Sequence, residues 1–179
     1  HWSKLGRMVA DTRSAIDGLE DVDFINPEKI FTAGYALGGT VSLYTAALDE
    51  RVAGVVSVCG FTPMRLDTPE KETGGIRRSS HLHAGVLPRL GFFLGNESRI
   101  PYDFHEIIAC IAPRPVYVIA PTWDRYNTVE DVRKCMNEAG KAYELYGSAE
   151  RLTIQTPEDY NRFSDEMQKN VFEWIKSNF

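Results

Sequence analysis

The residues that could carry chemistry centre on positions 34–38, which read Gly-Tyr-Ala-Leu-Gly. A short β-favouring run at residues 30–33 precedes them, and a helix-compatible run at residues 37–48 follows directly. A strand-to-helix turn with glycines flanking one central residue has the spacing of the G-x-S-x-G nucleophile elbow. Its small neighbours let the turn raise the central side chain above the sheet, where a serine could attack a carbonyl. The central residue here is Ala36, so the sequence predicts the scaffold of a nucleophile site without the nucleophile.

Composition argues against two classes of function. The 179 residues carry 20 Lys and Arg against 25 Asp and Glu, with no long basic block, which disfavours nucleic-acid binding. No apolar stretch approaches the roughly 20 residues that a membrane-spanning helix needs, so we expect no membrane partner. The sequence opens without Met, and we expect it to be part of a longer chain whose compartment it does not indicate.

The elements on either side of the turn alternate between helix and strand. The other predicted elements are a helix at 3–19, strands at 52–59, 116–120 and 152–155, and helices at 128–142 and from 164 onward. This alternation predicts an α/β fold, a three-layer sandwich with a mostly parallel sheet. Thr128 and Asp131 have the spacing of a capping box at the start of the 128–142 helix. Residues 60–104 are rich in Gly and Pro, which predicts a cap with short helices at most, inserted into one domain spanning residues 1–179.

The order of these parts resembles the C-terminal half of the α/β-hydrolase fold. Residues 101–118, which open with Pro-Tyr-Asp-Phe-His-Glu and close with Ala-Pro-Arg-Pro-Val-Tyr-Val, are similar to carbohydrate esterases such as the acetyl xylan and glucuronoyl esterases. In such enzymes a serine attacks an ester, a histidine takes its proton and an acid orients the histidine. The resemblance places Ala36 at the serine, Leu37 at an oxyanion-hole N–H, Asp124 at the acid and Asn161 at the histidine.

Two departures from the esterase pattern therefore coincide, at Ala36 and at Asn161. An engineered serine-to-alanine exchange explains the first alone, whereas a naturally degenerate member explains both and is the interpretation that we favour. The resemblance implies a relative of carbohydrate esterases that acts on or binds a plant or algal polysaccharide ester, in the periplasm or outside the cell, without a cofactor. Two alternatives stay open: a non-catalytic glycan-binding or scaffold protein, and a hydrolase that uses a cap histidine or a metal-bound water.

Histidines in and near the cap are the candidates for a replacement base. His81 and His83 stand at alternate positions, and His105 follows the cap. A general base needs hydrogen-bond reach of the proton that it removes, which His83 or His105 would gain if the cap folds over the turn. The same histidines could ligate a metal with Asp103, but the spacing is weak and we predict no metal site.

Four further side chains are candidates for substrate binding. Arg65 and Arg78 could hold a carboxylate or sulfate on an acidic sugar through their forked donors. Tyr35 and Trp123 could stack on a sugar ring, although packing roles fit these aromatics equally well.

The predicted sheet is incomplete for the fold that it resembles. Its first strand, residues 30–33, leads straight into the turn at Ala36, and such a strand normally has neighbours on both sides. An edge of this kind would leave backbone groups unpaired. We therefore expect a missing N-terminal segment or a partner chain to complete the sheet.

Overall fold

Four parallel strands form one sheet in the computed structural model, which describes residues 3–81 and 85–178. The strands are β1 (Ile30–Tyr35), β2 (Val52–Val58), β3 (Val116–Ile119) and β4 (Leu152–Gln155), in the spatial order β1-β2-β3-β4. Since all pairs are parallel, the carboxyl ends of the strands share one edge of the sheet. The loops that leave these ends converge there, which is where open α/β sheets bind their ligands.

Helices cover both faces of the sheet. They are α1 (Lys4–Glu20), α2 (Leu37–Leu48), α3 (Arg77–Ser80), α4 (Phe104–Ala109), α5 (Val129–Leu145) and α6 (Asp165–Ser177). One core joins α1, α2, α4 and α5 to strand residues such as Val55 and Val118. A second core, on the opposite face, joins Val56 and Tyr117 to Met167 and Val171 of α6. Because successive side chains of a strand point to opposite faces of the sheet, the two cores form separate apolar layers. The predicted three-layer α/β fold is confirmed.

Short elements make up residues 60–104, as the Gly and Pro content predicts. Besides α3, the described part of this segment holds 3-10 turns at Met64–Leu66, Pro88–Phe93 and Glu97–Arg99. Asp103 fixes one end of the segment, because its buried carboxylate accepts hydrogen bonds from the backbone N–H groups of Met64, Arg65 and Phe104 at 2.7, 2.9 and 2.7 Å.

The prediction of a capping box at the start of α5 is wrong. The Thr128 side chain makes no capping hydrogen bond, and Asp131 instead pairs with Lys71 at 2.7 Å. Among the described residues, a capping box lies at the start of α4. There the Asp103 side chain accepts the backbone N–H of Glu106, and the Glu106 side chain accepts the backbone N–H of Asp103. The Asp131 carboxylate pairs with Lys71 from another segment instead of with the backbone at the start of α5. The spacing of residues within α5 gives no indication of that partner.

Strand β1 lies at one edge of the sheet. Within the described residues, β2 is its one strand neighbour, with Ile30 opposite Val52 and Tyr35 opposite Val58. The expectation that a further segment or chain pairs with this edge stays a prediction. In the same part of the chain, no helix combines the length and apolar character needed to cross a bilayer.

An ion-pair cluster ties α1 to the start of β2. Arg51 donates to the buried carboxylate of Asp49 at 2.9 and 2.7 Å, and Arg13 reaches the same carboxylate at 3.2 Å. Arg51 also pairs with Asp17 and Glu20 of α1 at 2.8 and 2.6 Å. The hydrogen bonds from Arg51, above all, hold the pKa of Asp49 well below its usual range, although burial opposes them.

This depressed pKa predicts how stability depends on pH. The contribution of Asp49 to the stability of the folded chain is fully present at pH values above the usual carboxyl pKa of about 3.9. It is lost as the pH falls below that value toward the lower pKa of the folded state. The difference in melting temperature between wild type and Asp49→Asn should therefore be constant above pH about 5 and shrink below pH about 4. Glu144→Gln, an exposed change on α5, is the matched control. A difference that stays the same down to pH about 2 would contradict the assignment.

Candidate functional site

The turn predicted at Ala36 is present and strained. Ala36 adopts φ 50° and ψ −122°, a conformation that residues with a side chain rarely occupy. Its N–H donates to the carbonyl of Val58 at 2.9 Å, which fixes it against the end of β2. Helix α2 begins at the next residue, Leu37, so the first backbone N–H groups of the helix have no acceptor within the helix itself. A strained strand-to-helix turn of this kind can present a nucleophile, and the side chain at this turn is the methyl group of Ala36.

Close packing explains the glycines around the turn, although not both glycines of the predicted motif. A Cβ on Gly34 would lie 2.1 Å from the backbone carbon of Gly38, so no side chain fits there. A Cβ on Gly38 would meet nothing within 4 Å, whereas one on Gly39 would lie 2.7 Å from the Ser57 hydroxyl and 3.0 Å from Gly60. Gly34 and Gly39 are thus the positions where the strand and the helix approach each other.

Asp124 lies in the loop after β3, buried and held by four donors. One carboxylate oxygen accepts the backbone N–H groups of Tyr126 and Asn127 at 2.8 and 3.2 Å. The other accepts the side-chain amides of Asn127 and Asn161, both at 2.8 Å. The Asn127 amide also donates to the carbonyl of Cys59, which links the loop after β3 to the end of β2. The structure therefore brings Asp124 and Asn161 together, while their roles as an acid and the group that it orients stay predictions.

Asn161 is locked between two partners. Its amide nitrogen donates to Asp124, and its side-chain oxygen accepts the Tyr35 hydroxyl at 2.6 Å. The Tyr35 hydroxyl also lies 3.0 Å from the backbone carbonyl oxygen of Asn161. A histidine at this position would hold a basic nitrogen, but a neutral amide accepts no proton near neutral pH. Tyr35 therefore positions Asn161, a role that sequence inspection did not assign to it.

Backbone pairing joins the loops that carry Asp124 and Asn161. The N–H of Trp123 donates to the carbonyl of Asp159 at 3.0 Å, and Trp123 forms a parallel bridge with Tyr160. The two rings pack at 5.1 Å between centroids and remain 53% and 63% exposed. Trp123 thus belongs to an exposed aromatic pair next to the site, a surface that can stack on a sugar ring.

Cys59, at the end of β2, is a feature that the sequence did not single out as functional. It has φ 50°, like Ala36, and the two residues directly follow Val58 and Tyr35, which are paired at the ends of β2 and β1. Burial, and then the Asp124 carboxylate, raises the pKa of the Cys59 thiol to about 12. A thiol that stays protonated is a poor nucleophile, which disfavours that role for Cys59.

A cavity of 650 Å³ opens beside Ala36. Its wall joins the turn to residues 60–104 and to α1, and most of the surrounding side chains are apolar. Four of the predicted site residues line it, namely Ala36, Leu37, Arg78 and Asn161. The sequence did not point to its other polar members, among them Asp67 and Asn127.

Other predicted residues lie elsewhere. Arg65 does not line this cavity; it donates to the carbonyl of Ile100 at 2.9 Å and pairs with Glu106 at 3.1 Å. His105 is also outside the cavity wall, with its Nε2 3.4 Å from the Glu106 carboxylate, and its role as a base stays a prediction. His83 lies outside the described residues. Within the part of the chain that is described, no cluster of side chains could hold a metal ion.

Three features together define an α/β-hydrolase-like protein. They are the parallel sheet, the strained turn at the end of β1, and the Asp124 carboxylate in the loop after β3. A family model described as glucuronyl esterase of fungi matches residues 5–147, most of the chain. The chain therefore belongs to the glucuronyl esterase family.

Relatives of this chain are longer than it is. The 4-O-methyl-glucuronoyl methylesterase 1 of Wolfiporia cocos is 30% identical over 142 residues, which cover 74% of this chain and 35% of that protein. A family 15 (CE15) glucuronoyl esterase from Caldicellulosiruptor kristjansonii superposes with a TM-score of 0.85 at 20% identity, over 98% of this chain and 50% of that one. A promiscuous CE15 esterase from a marine bacterial metagenome gives 0.86 at 19% identity, over 100% and 49%. The chain spans half or less of these relatives, and the two structures establish its fold alone.

Proposed function

We propose that this chain binds an esterified glycan, such as a uronate ester of a plant or algal polysaccharide, beside Ala36 without hydrolysing it. The observation that carries the proposal is the arrangement at the turn. The Asp124 carboxylate and the strained backbone of Ala36 are retained, while the group that Asp124 holds is the neutral amide of Asn161. A methyl group cannot attack a carbonyl, and an amide cannot remove a proton.

Glycan as the ligand class is supported from two sides. The names of the relatives describe esterases of glucuronoyl groups. The cavity volume of 650 Å³ lies within the range of small-molecule sites, roughly 300 to 1,000 Å³. The exposed pair of Trp123 and Tyr160 adjoins the loop of Asn161 and could carry a neighbouring sugar of the chain.

Calorimetric titration with the methyl ester of a methyl glucuronoside tests the proposal. We expect binding without methanol release above the uncatalysed rate. Met8→Trp should weaken binding about tenfold or more, because Met8 lines the cavity from α1 and the larger ring would occupy it. Leu19→Trp is the matched control: it lies on the same helix at 39% exposure, against 37% for Met8, and does not line the cavity.

Two results would contradict the proposal. Methanol release by the wild-type chain would favour a hydrolase with another base, and loss of that release on adding a chelator would favour a metal-bound water. Failure of the folded chain to bind the ester would remove the glycan as ligand.

A further inference from the structure

Helix α1 lines two different cavities. Lys4 and Met8 line the cavity described above. Other residues of this segment, from the N-cap Ser3 to Arg13, line a second cavity of 290 Å³, which we call the α1–α2 groove because residues of α2 line it as well. Among the described residues, only Leu87 lines both cavities. The groove is therefore a separate site, and glycan binding beside the turn does not account for it.

The α1–α2 groove is long and narrow. From Ser3 to Arg13 it follows the chain over ten positions, about 15 Å at the helical rise of 1.5 Å per residue. A volume of 290 Å³ over that length corresponds to a mean cross-section of about 20 Å². Gly6 and Ala10, four positions apart on one face of α1, keep this side of the groove free of bulky side chains. These dimensions suit an extended chain better than a sugar ring.

Aliphatic and aromatic side chains form most of the wall of this groove. The aliphatic ones are Leu5, Val9, Leu48 and Leu87. Tyr44 and Tyr102 also line it; their rings pack edge to face at 6.4 Å between centroids, and their hydroxyls lie 3.4 Å from each other. Leu48 is 62% exposed, so a ligand that covers it removes apolar surface from water. The wall therefore favours a ligand with an apolar body.

Arg13 gives one end of the groove a positive charge. Its Nε–H donates to the buried Asp49 at 3.2 Å, and its two Nη groups have no partner among the described residues. Asp49 is bound more closely by Arg51, through Nε at 2.9 Å and Nη2 at 2.7 Å. The Arg13 side chain is 50% exposed and lines the groove, so a ligand there can reach it. A guanidinium with free donors binds a carboxylate through two parallel hydrogen bonds.

We infer that the α1–α2 groove binds a medium-chain aliphatic monocarboxylate. Its carboxylate accepts from the Nη groups of Arg13, and its alkyl chain extends past Ala10 and Gly6 toward Leu87. The single charged end and the narrow apolar wall match the two parts of such a molecule. This ligand belongs to a different class from the glycan proposed for the cavity beside Ala36, and its binding does not depend on that proposal.

Calorimetric titration with hexanoate and octanoate tests the apolar part of the groove. Wild type should bind octanoate more tightly than hexanoate, by about fourfold for each added CH2 group. Ala10→Leu should weaken octanoate binding about tenfold or more, because the larger side chain occupies the groove. Ala15→Leu is the matched control: it makes the same exchange at an exposed position of α1 outside the groove and should bind octanoate as wild type does.

The charged end is tested with octanoate and 1-octanol, which has the same chain without the charge. Arg13→Gln should bind octanoate about tenfold more weakly or worse, since hydrogen bonds to a charged group are lost, and should bind 1-octanol as wild type does. Arg7→Gln is its control, because Arg7 is an exposed arginine of the same helix that does not line the groove. It should keep the wild-type affinity for octanoate.

Four results would overturn the inference and leave the proposed function standing. The first is no binding of octanoate by the folded wild-type chain. The second is an equal loss of octanoate affinity in Arg7→Gln and Arg13→Gln. The third is a loss in Met8→Trp as large as in Ala10→Leu, which would place octanoate in the cavity beside the turn. The fourth is a changed oligomeric state in Ala10→Leu at unchanged octanoate affinity, which would make the groove an interface between copies of this chain. If Ala10→Leu melts early, Arg13→Gln decides alone, because its change lies at the surface.

Discussion

Ala36→Ser alone should leave hydrolysis of a methyl glucuronate ester at the wild-type level, whereas Ala36→Ser combined with Asn161→His should raise it by about 1,000-fold or more. A serine at the strained turn gains reactivity only if a neighbouring group takes its proton. The Asn161 amide offers no such group, since its oxygen accepts from Tyr35 and its nitrogen donates to Asp124. An imidazole there could donate one N–H to the same carboxylate oxygen and present its other nitrogen to the serine.

The comparison requires each single variant. Asn161→His without a serine supplies a base with nothing to activate, so it should remain inactive. Members of a triad act as one unit, and each alone contributes little, which is why we expect the effect in the double variant only. The rate is measured as methanol release at saturating ester. Full recovery in Ala36→Ser alone would show that a base other than residue 161 serves the site, and a cap histidine would be the first to test. An inactive but folded double variant would contradict the placement of residue 161.

Those parts of the fold that follow from local chemistry could be predicted from the sequence. Gly34 has to be glycine because the helix backbone lies where its Cβ would be, and that requirement marks the turn in any sequence of this spacing. Continuous apolar runs at β2 and β3 follow from burial on both faces of a parallel sheet. Ser164 caps α6 through its own side chain, so the start of that helix was also recoverable from the sequence.

Contacts between distant segments were the part that sequence could not supply. Asn127 reaches the Cys59 carbonyl 68 positions away, and no spacing rule connects the two residues. Tyr35 was a candidate for stacking on sugar, yet its hydroxyl holds Asn161, 126 positions later. Arg65 had the charge to bind an anion, but its guanidinium is already paired with the Glu106 carboxylate. Residue type gave the chemistry that each side chain can do, and the sheet register decided which partner it meets.

Asp124→Ala should be among the most destabilising single changes in this chain. It removes the acceptor of four hydrogen bonds at a position that is 6% exposed, from the Tyr126 and Asn127 N–H groups and from two side-chain amides. Buried donors left without an acceptor cost about 1–3 kcal/mol each, and the effects of one network do not simply add. We expect the free energy of unfolding to fall by about 3 kcal/mol or more, and the melting temperature by roughly 6–12 °C for a domain of this size.

Asp124→Asn separates the hydrogen bonds from the shape. The amide keeps one oxygen to accept, but its NH2 group faces donors, so an intermediate loss of stability is expected. Glu158→Ala, which removes an exposed carboxylate from the facing loop, should change the melting temperature little. Because Asp124 holds Asn161, the alanine variant should also lose affinity for the glucuronate ester when measured below its melting transition. An Asp124→Ala chain as stable as wild type would show that the loops after β3 and β4 are held by the Trp123–Tyr160 pairing instead, and that this carboxylate no longer organises the site.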